Sequence, residues 1–372
     1  MNIQPFKIAF PQTELDDFMA RLKNTRWPDE EESAGWSMGT SLSYMRELVD
    51  YWQKTYDWRA QETKLNAWPQ FVTTIDGTSI HFVYIKSPHP HAKPLLLVHG
   101  WPDSFYRFHK VLPLLSDAFD IVVPSIPGFG FSQRKTATPM AVADLFAKLM
   151  RETLGYQSFV AQGGDIGSYI VKALAVRYPE AVEAIHLTDV GYPTGREDIS
   201  SLSAAEQQFA LDTQRWGMSE GAYLQMQSTR PQTIAYSLTD SPVGLAAWII
   251  SMIKSQADGE RVEEAFGGRD ELLTNIMIHW LTRTASSSVR MYVLIAWSLY
   301  ANEENQELEA KSEVPAGISL FPRELQFPQE WAERTLNVVR YEKMPRGGHF
   351  AALEEPELFA NALLTFFIKK DE

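Results

Sequence analysis

Gly163-Gly164-Asp165-Ile166-Gly167 lies between an apolar run ending at Val160 and a helical pattern from Ser168 to Tyr178. Small residues on both sides of a single reactive side chain fit a sharp strand-to-helix turn that presents that side chain above an α/β sheet. Asp165 occupies the apex, where a serine is commonly found. A carboxylate nucleophile forms an ester whose alcohol half comes from the substrate, so it suits displacement at a strained or activated carbon better than acyl transfer. Epoxides and alkyl halides are the natural targets. The competing reading is a glycine-rich turn with an exposed Asp.

The sequence around this turn supports a parallel sheet. Short β-type runs at Phe71 to Ile75 and Ile80 to Ile85 flank Asp76-Gly77, a strong hairpin signal. From Lys93 the rhythm is strand, loop, helix: Leu95 to Val98, His99-Gly100-Trp101-Pro102, Ile121 to Pro124, then a helix from Pro139 with Thr138 as N-cap. Ser158 to Gln162 and Val182 to Val190 follow, and strand-like runs return only at Gly317 to Leu320 and Leu336 to Tyr341. Continuous apolar strands alternating with amphipathic helices predict an α/β fold with a mostly parallel central sheet covered on both faces.

The expected organisation is an N-terminal extension over residues 1–70, a core over 71–192, an inserted helical cap over 193–305, and the rest of the core over 306–372. The extension is rich in Trp, Pro and acids, with amphipathic helices after Thr13 and around Ser43 to Tyr56. Val243 to Ile253 is the longest apolar stretch and carries Ser251. It reads as a buried helix of the cap, because a membrane span needs about 18 apolar residues.

With 372 residues, 45% hydrophobic and 12% aromatic, the chain is long enough for a sizeable core. It has no cysteine, which excludes disulfides, thiolate metal sites and cysteine nucleophiles. A formal charge of −13 disfavours nucleic acid and anionic membrane as partners. Met1 to Arg21 has no basic and apolar leader pattern, so a cytoplasmic location is the default expectation.

A base and an orienting acid are expected after the nucleophile in the order nucleophile, acid, histidine. Of the eight histidines, His349 has the best context, in Arg346-Gly347-Gly348-His349-Phe350 after the final strand-like run. Glu324, shortly after the run ending at Leu320, is the candidate acid, with Asp189 as its competitor. Such an acid would accept the imidazole N–H and fix its tautomer. The backbone N–H groups of Trp101 and Ile166 are the expected oxyanion donors, each worth about 2.7–4 kcal/mol of barrier. Gly35-Trp36-Ser37-Met38-Gly39 matches a serine turn by letter. It fails on context, because Pro28-Asp29-Glu30-Glu31-Glu32 cannot be a buried strand.

Taken together, these residues resemble the microsomal-type epoxide hydrolase family, α/β-hydrolases with a long N-terminal extension. The resemblance spans nearly the whole chain. It rests on Phe10-Pro11 and Arg26-Trp27-Pro28, HGWPDSFYRFHKVLP from His99, PSIPGFGFS from Pro124, QGGDIGS from Gln162, SPVGLAAWI from Ser241 and RGGHFAALEEPE from Arg346. It implies Asp165 as nucleophile, His349 as base, Glu324 as its partner, and two cap phenols. Tyr223 in Tyr223-Leu224-Gln225 and Tyr292 in Val289-Arg290-Met291-Tyr292 match those segments. It further implies a small-molecule epoxide and water as reactants, with no metal or organic cofactor. Many members have Trp after the nucleophile where this chain has Ile166, and the membrane anchor of the animal enzymes has no counterpart, so a soluble form is expected. Haloalkane dehalogenation through the same Asp and a noncatalytic small-molecule receptor are the alternative functions. Trp216, Trp248 and Trp297 are the expected shapers of the pocket.

Overall fold

A computed structural model describes residues 2–300 and 304–368. Among these residues, nine strands form one sheet: β1 (Gln4–Phe6), β2 (Gln70–Ile75), β3 (Thr78–Ile85), β4 (Lys93–Val98), β5 (Phe119–Pro124), β6 (Phe159–Gly163), β7 (Val182–Leu187), β8 (Pro315–Leu320) and β9 (Asn337–Lys343). Their order is β1-β2-β3-β5-β4-β6-β7-β8-β9. The pairs from β1 through β3 to β5 are antiparallel, and every pair from β5 to β9 is parallel.

Local chemistry accounts for the elements that the sequence predicts. Asp76 and Gly77 both adopt positive φ, 48° and 72°, as a two-residue hairpin turn requires. The Thr138 side chain accepts from Ala141 N–H, and Pro139 opens the helix Pro139–Lys148. Leu95, Leu96, Leu97 and Val98 are all fully buried, as a central strand covered on both faces demands.

The topology itself selects the site. β4 pairs with β5 on one side and β6 on the other, so the chain leaves β4 toward one edge and returns beyond it. This reversal opens a crevice at the carboxyl ends of β4 and β6, where open α/β sheets bind ligands. Val98 is in register with Gly163, so the loops carrying Trp101 and Asp165 emerge side by side.

Between β7 and β8 the described elements are helical, from Ala204–Ser219 to Glu304–Glu309. The apolar stretch Val243 to Ile253 forms most of the helix Pro242–Gln256, with Ile249, Ile250 and Ile253 fully buried. The N-terminal segment reaches this region directly. Tyr44 and Tyr51 donate to Glu263 and Asp270 at 3.0 and 2.8 Å, and Thr40 Oγ1 donates to Ala247 O at 2.7 Å. That segment also contributes β1 and the helix Trp58–Leu65, neither of which the sequence pattern predicts. Among the described residues, no helix is long and apolar enough to cross a membrane. The serine decoy is an exposed turn in which Ser37 Oγ donates to Ala34 O at 2.8 Å.

Candidate active site

Asp165 sits between β6 and the helix Ile166–Arg177 at φ 56° and ψ −132°. A non-glycine residue held there costs about 1–3 kcal/mol, so its surroundings must over-determine it. They do so from two sides. A Cβ on Gly167 would meet Val98 O at 2.2 Å, and one on Gly100 would meet Asp165 Oδ1 at 2.3 Å, so glycine at both places lets β4, β6 and the helix close together. Beneath the turn, Asp165 N–H donates to Asp189 Oδ2, while Ser168 Oγ lies 2.7 Å from Asp165 O and 2.8 Å from Asp189 Oδ1.

The two carboxylate oxygens of Asp165 have different partners. Oδ1 accepts from the N–H groups of Trp101 at 2.9 Å and Ile166 at 2.6 Å. Oδ2 faces His349 Nε2 at 3.4 Å. On the far side of the ring, His349 Nδ1 lies 2.8 Å from Glu324 Oε1. All three side chains are largely buried. Burial alone would raise the Asp165 carboxyl, but the His349 imidazole and the two N–H donors outweigh it and hold it below its ordinary value. Burial likewise opposes charge on His349, yet the carboxylates of Glu324 and Asp165 hold it well above the usual imidazole range.

The other buried histidines behave oppositely. Burial pushes His81, His99 and His186 down to about 3 and His279 to about 4, so they are neutral. His99 uses that neutrality structurally: its Nε2 accepts from Ile126 N–H at 3.1 Å, and its Nδ1 donates to Gly100 O at 3.0 Å.

Asp189 is not the partner of the imidazole. Its oxygens are committed to Asp165 N–H and Ser168, and burial, with the nearby charges of Glu324 and Asp165, pushes it up to about 7. Its position after β7 nevertheless makes it a wall of the same cavity.

That cavity has a volume of about 300 Å³ and is lined by Asp165, His349, Tyr223, Tyr292, Trp216 and Ile295, among others. The rings of Tyr223 and Tyr292 meet edge to face at 6.1 Å, and both pack on the Trp101 indole, at 6.0 and 5.8 Å. Burial first, then the Asp165 charge, pushes both phenols up, so each keeps its proton. The structure therefore gathers Asp165, His349, Glu324, Tyr223, Tyr292, Trp101 and Ile166 at one place. Trp216 lines the cavity, whereas Trp248 instead donates to the buried Gln227 at 2.9 Å. The side chain of Trp297 lies outside the described residues.

Two supports escaped the sequence reading. Gln256 ends the helix Pro242–Gln256, its backbone oxygen accepting from His349 N–H at 3.1 Å and its side chain donating to Tyr223 Oη at 3.4 Å. Arg107, buried beside the fully buried Asp103, pairs with that carboxylate and donates to His349 O. Its charged pattern in a loop motif gives no hint of burial. Among the described residues no group of three or more His, Cys, Asp or Glu side chains has the geometry to hold a metal.

Comparisons with known proteins agree with this architecture. The family model described as epoxide hydrolase N terminus matches residues 3–108, and that of the alpha/beta hydrolase fold matches residues 93–240. Epoxide hydrolase 1 of Sus scrofa is 36% identical over 98% of this chain and 88% of its own length. The chain belongs to the epoxide hydrolase family. Juvenile hormone epoxide hydrolase 1 of Ctenocephalides felis is 32% identical over 100% of this chain and 88% of its own. The solved structure of Aspergillus niger epoxide hydrolase superposes with a TM-score of 0.85 at 32% identity, covering 98% of this chain and 96% of that one. As a member of the epoxide hydrolase family the chain is an enzyme, a hydrolase acting on epoxides, on an α/β-hydrolase fold.

Proposed function

We propose that the chain converts a small-molecule epoxide to a vicinal diol through a covalent ester on Asp165, with residues 193–305 acting as the cap over the reaction cavity. The observation that carries this reading is the unequal environment of the Asp165 oxygens beside the cavity: Oδ1 held by two N–H donors, Oδ2 free of them and facing His349.

In the first step Oδ2 bonds to a ring carbon while that carbon's bond to the epoxide oxygen breaks. The oxygen keeps the electron pair, and Tyr223 and Tyr292 donate hydrogen bonds to it as its charge develops. Esterification removes the Asp165 charge, one of the two carboxylates that hold the imidazole proton. His349 then sheds that proton more readily, which balances the new alkoxide and leaves a neutral base. In the second step His349 takes a proton from water, the resulting hydroxide attacks Cγ of Asp165, and the oxyanion rests on the Trp101 and Ile166 N–H groups. Collapse expels the diol oxygen, which takes up the remaining water proton. Asp165 is again a carboxylate and His349 again an imidazolium. Glu324 holds the ring's tautomer throughout.

Single turnover in heavy-oxygen water tests the pathway. The diol from the first turnover should contain no heavy oxygen, and the label should be found in the Asp165 carboxylate. Direct labelling of that first diol would rule out the ester.

A further inference from the structure

A second chamber of about 400 Å³ adjoins the reaction cavity. Tyr169, Tyr192 and Thr194 border both spaces. The helix that begins at Asp165 forms a shared wall, because Asp165, Tyr169 and Lys172 stand at i, i+4 and i+7 and so lie on one face. At about 1.5 Å rise per residue, the Lys172 backbone is about 10 Å beyond the reacting carboxylate.

Lys172 is the unexplained group in this chamber. Among the described residues it has no hydrogen-bond partner, and no carboxylate lies within 4.0 Å of its ammonium. The charges around it are mostly committed elsewhere. Glu197 is turned into its own loop, accepting from Thr194 N–H at 2.8 Å, Thr194 Oγ1 at 2.9 Å and Gly195 N–H at 2.9 Å. Arg334 is paired with Glu206. Glu309 is the acid whose charge reaches Lys172, and it only partly offsets burial, which brings the ammonium down to about 8. A half-buried cation without a close counter-ion is still partly stripped of water, and a ligand anion offsets that cost.

We propose that this chamber is an acid-recognition subsite, in which Lys172 takes a carboxylate carried on the tail of the epoxide substrate. The proposal rests on the epoxide-hydrolase reading above and names its substrate class: epoxides whose tail is long enough to carry a carboxylate from the reaction cavity to Lys172, about two helical turns along the shared helix. A single negative charge suits one unmatched cation. A phosphate dianion would meet Glu197 and Glu309 on the same wall.

The test compares a medium-chain epoxy carboxylic acid, its methyl ester and styrene oxide as substrates of the full chain and of Lys172→Met and Lys172→Arg. The expected result is a wild-type preference for the free acid over the ester. The acid-to-ester ratio of kcat/KM should fall about 10- to 100-fold in Lys172→Met, the range for a hydrogen bond to a charged group, and recover in Lys172→Arg. Equal kcat/KM for acid and ester in the wild type, or an unchanged ratio in Lys172→Met, would overturn it. Should Lys172→Met fail to fold, inhibition of the wild type serves instead: decanoate should compete with the epoxy acid and decanol should not, and equal inhibition by both overturns the proposal. Failure of the wild type to turn over styrene oxide or either other epoxide would instead count against the epoxide-hydrolase reading itself.

Discussion

His349 Nε2 approaches Oδ2 of Asp165 at 3.4 Å, while Oδ1 is gripped by the backbone donors of Trp101 and Ile166. The carboxylate is thus held by one oxygen, and the proposed ester forms through the other. On the proposed pathway, water activated by His349 adds from the Oδ2 side, so its oxygen takes the Oδ2 position when the diol leaves. In heavy-oxygen water the second turnover should therefore deliver nearly complete label to the diol. Mass spectrometry of sequential turnovers checks this, and half-labelled diol would mean that the carboxylate rotates freely between cycles.

Separating the two steps gives a second prediction. Asp165→Ala should abolish turnover, whereas His349→Gln should still open the epoxide and accumulate ester, visible as added mass on the protein. Glu324→Gln removes a carboxylate that raises the imidazole, so His349 should lose its proton at lower pH. The acidic limb of ester decay, followed by rapid quench, should shift to lower pH while the plateau rate falls.

The phenols should act on ring opening alone. Tyr223→Phe or Tyr292→Phe should slow ester formation about 10- to 100-fold, the worth of one hydrogen bond to a developing charge. Ester decay should be unchanged. Pre-steady-state traces with equal losses in both phases would assign the tyrosines to packing instead.

Arg107 links the loop after β4 to the loop carrying His349, through Asp103 and the His349 carbonyl. Arg107→Met leaves the buried Asp103 carboxylate without its cation and should destabilise the fold by about 3–5 kcal/mol. Replacing both residues, as Asp103→Leu with Arg107→Met, should recover most of that loss in a denaturant titration while kcat remains depressed.

Asp189 supplies a pH test of stability. Its folded value, about 7, lies above the ordinary carboxyl value of about 4, so the folded protein binds this proton more tightly than the unfolded chain. Its contribution is complete below about pH 4 and is lost as pH rises through 7. Asp189→Asn should flatten the decline of Tm between pH 5 and 8, measured by calorimetry.

The elbow, the Asp76-Gly77 hairpin and the buried strands were legible in the sequence because each is set by neighbouring residues: glycine spacing, turn chemistry, apolar continuity. His349 and Glu324 followed from chain order around the elbow. Tyr223 and Tyr292 were reachable only through family resemblance, since their motifs read equally well as packing. β1, Gln256 and the Asp103–Arg107 pair were not legible, because each is held by partners far away in the chain, at Val72, His349 and His349 respectively. Trp248 shows the converse: its type suggested a pocket wall, and its actual partner, Gln227, carries no local signal.

The short strand Gln4–Phe6 lies along the outer side of β2, with Pro5 opposite Phe71. Proline offers no amide hydrogen, so this margin of the sheet is a poor template for an incoming strand. At the opposite margin β9 carries Arg340, Glu342 and Lys343, with Arg340 and Glu342 paired at 2.9 Å. One border is guarded by a missing donor and the other by charge, so crowded solutions of this enzyme have two separate barriers against edge-to-edge aggregation.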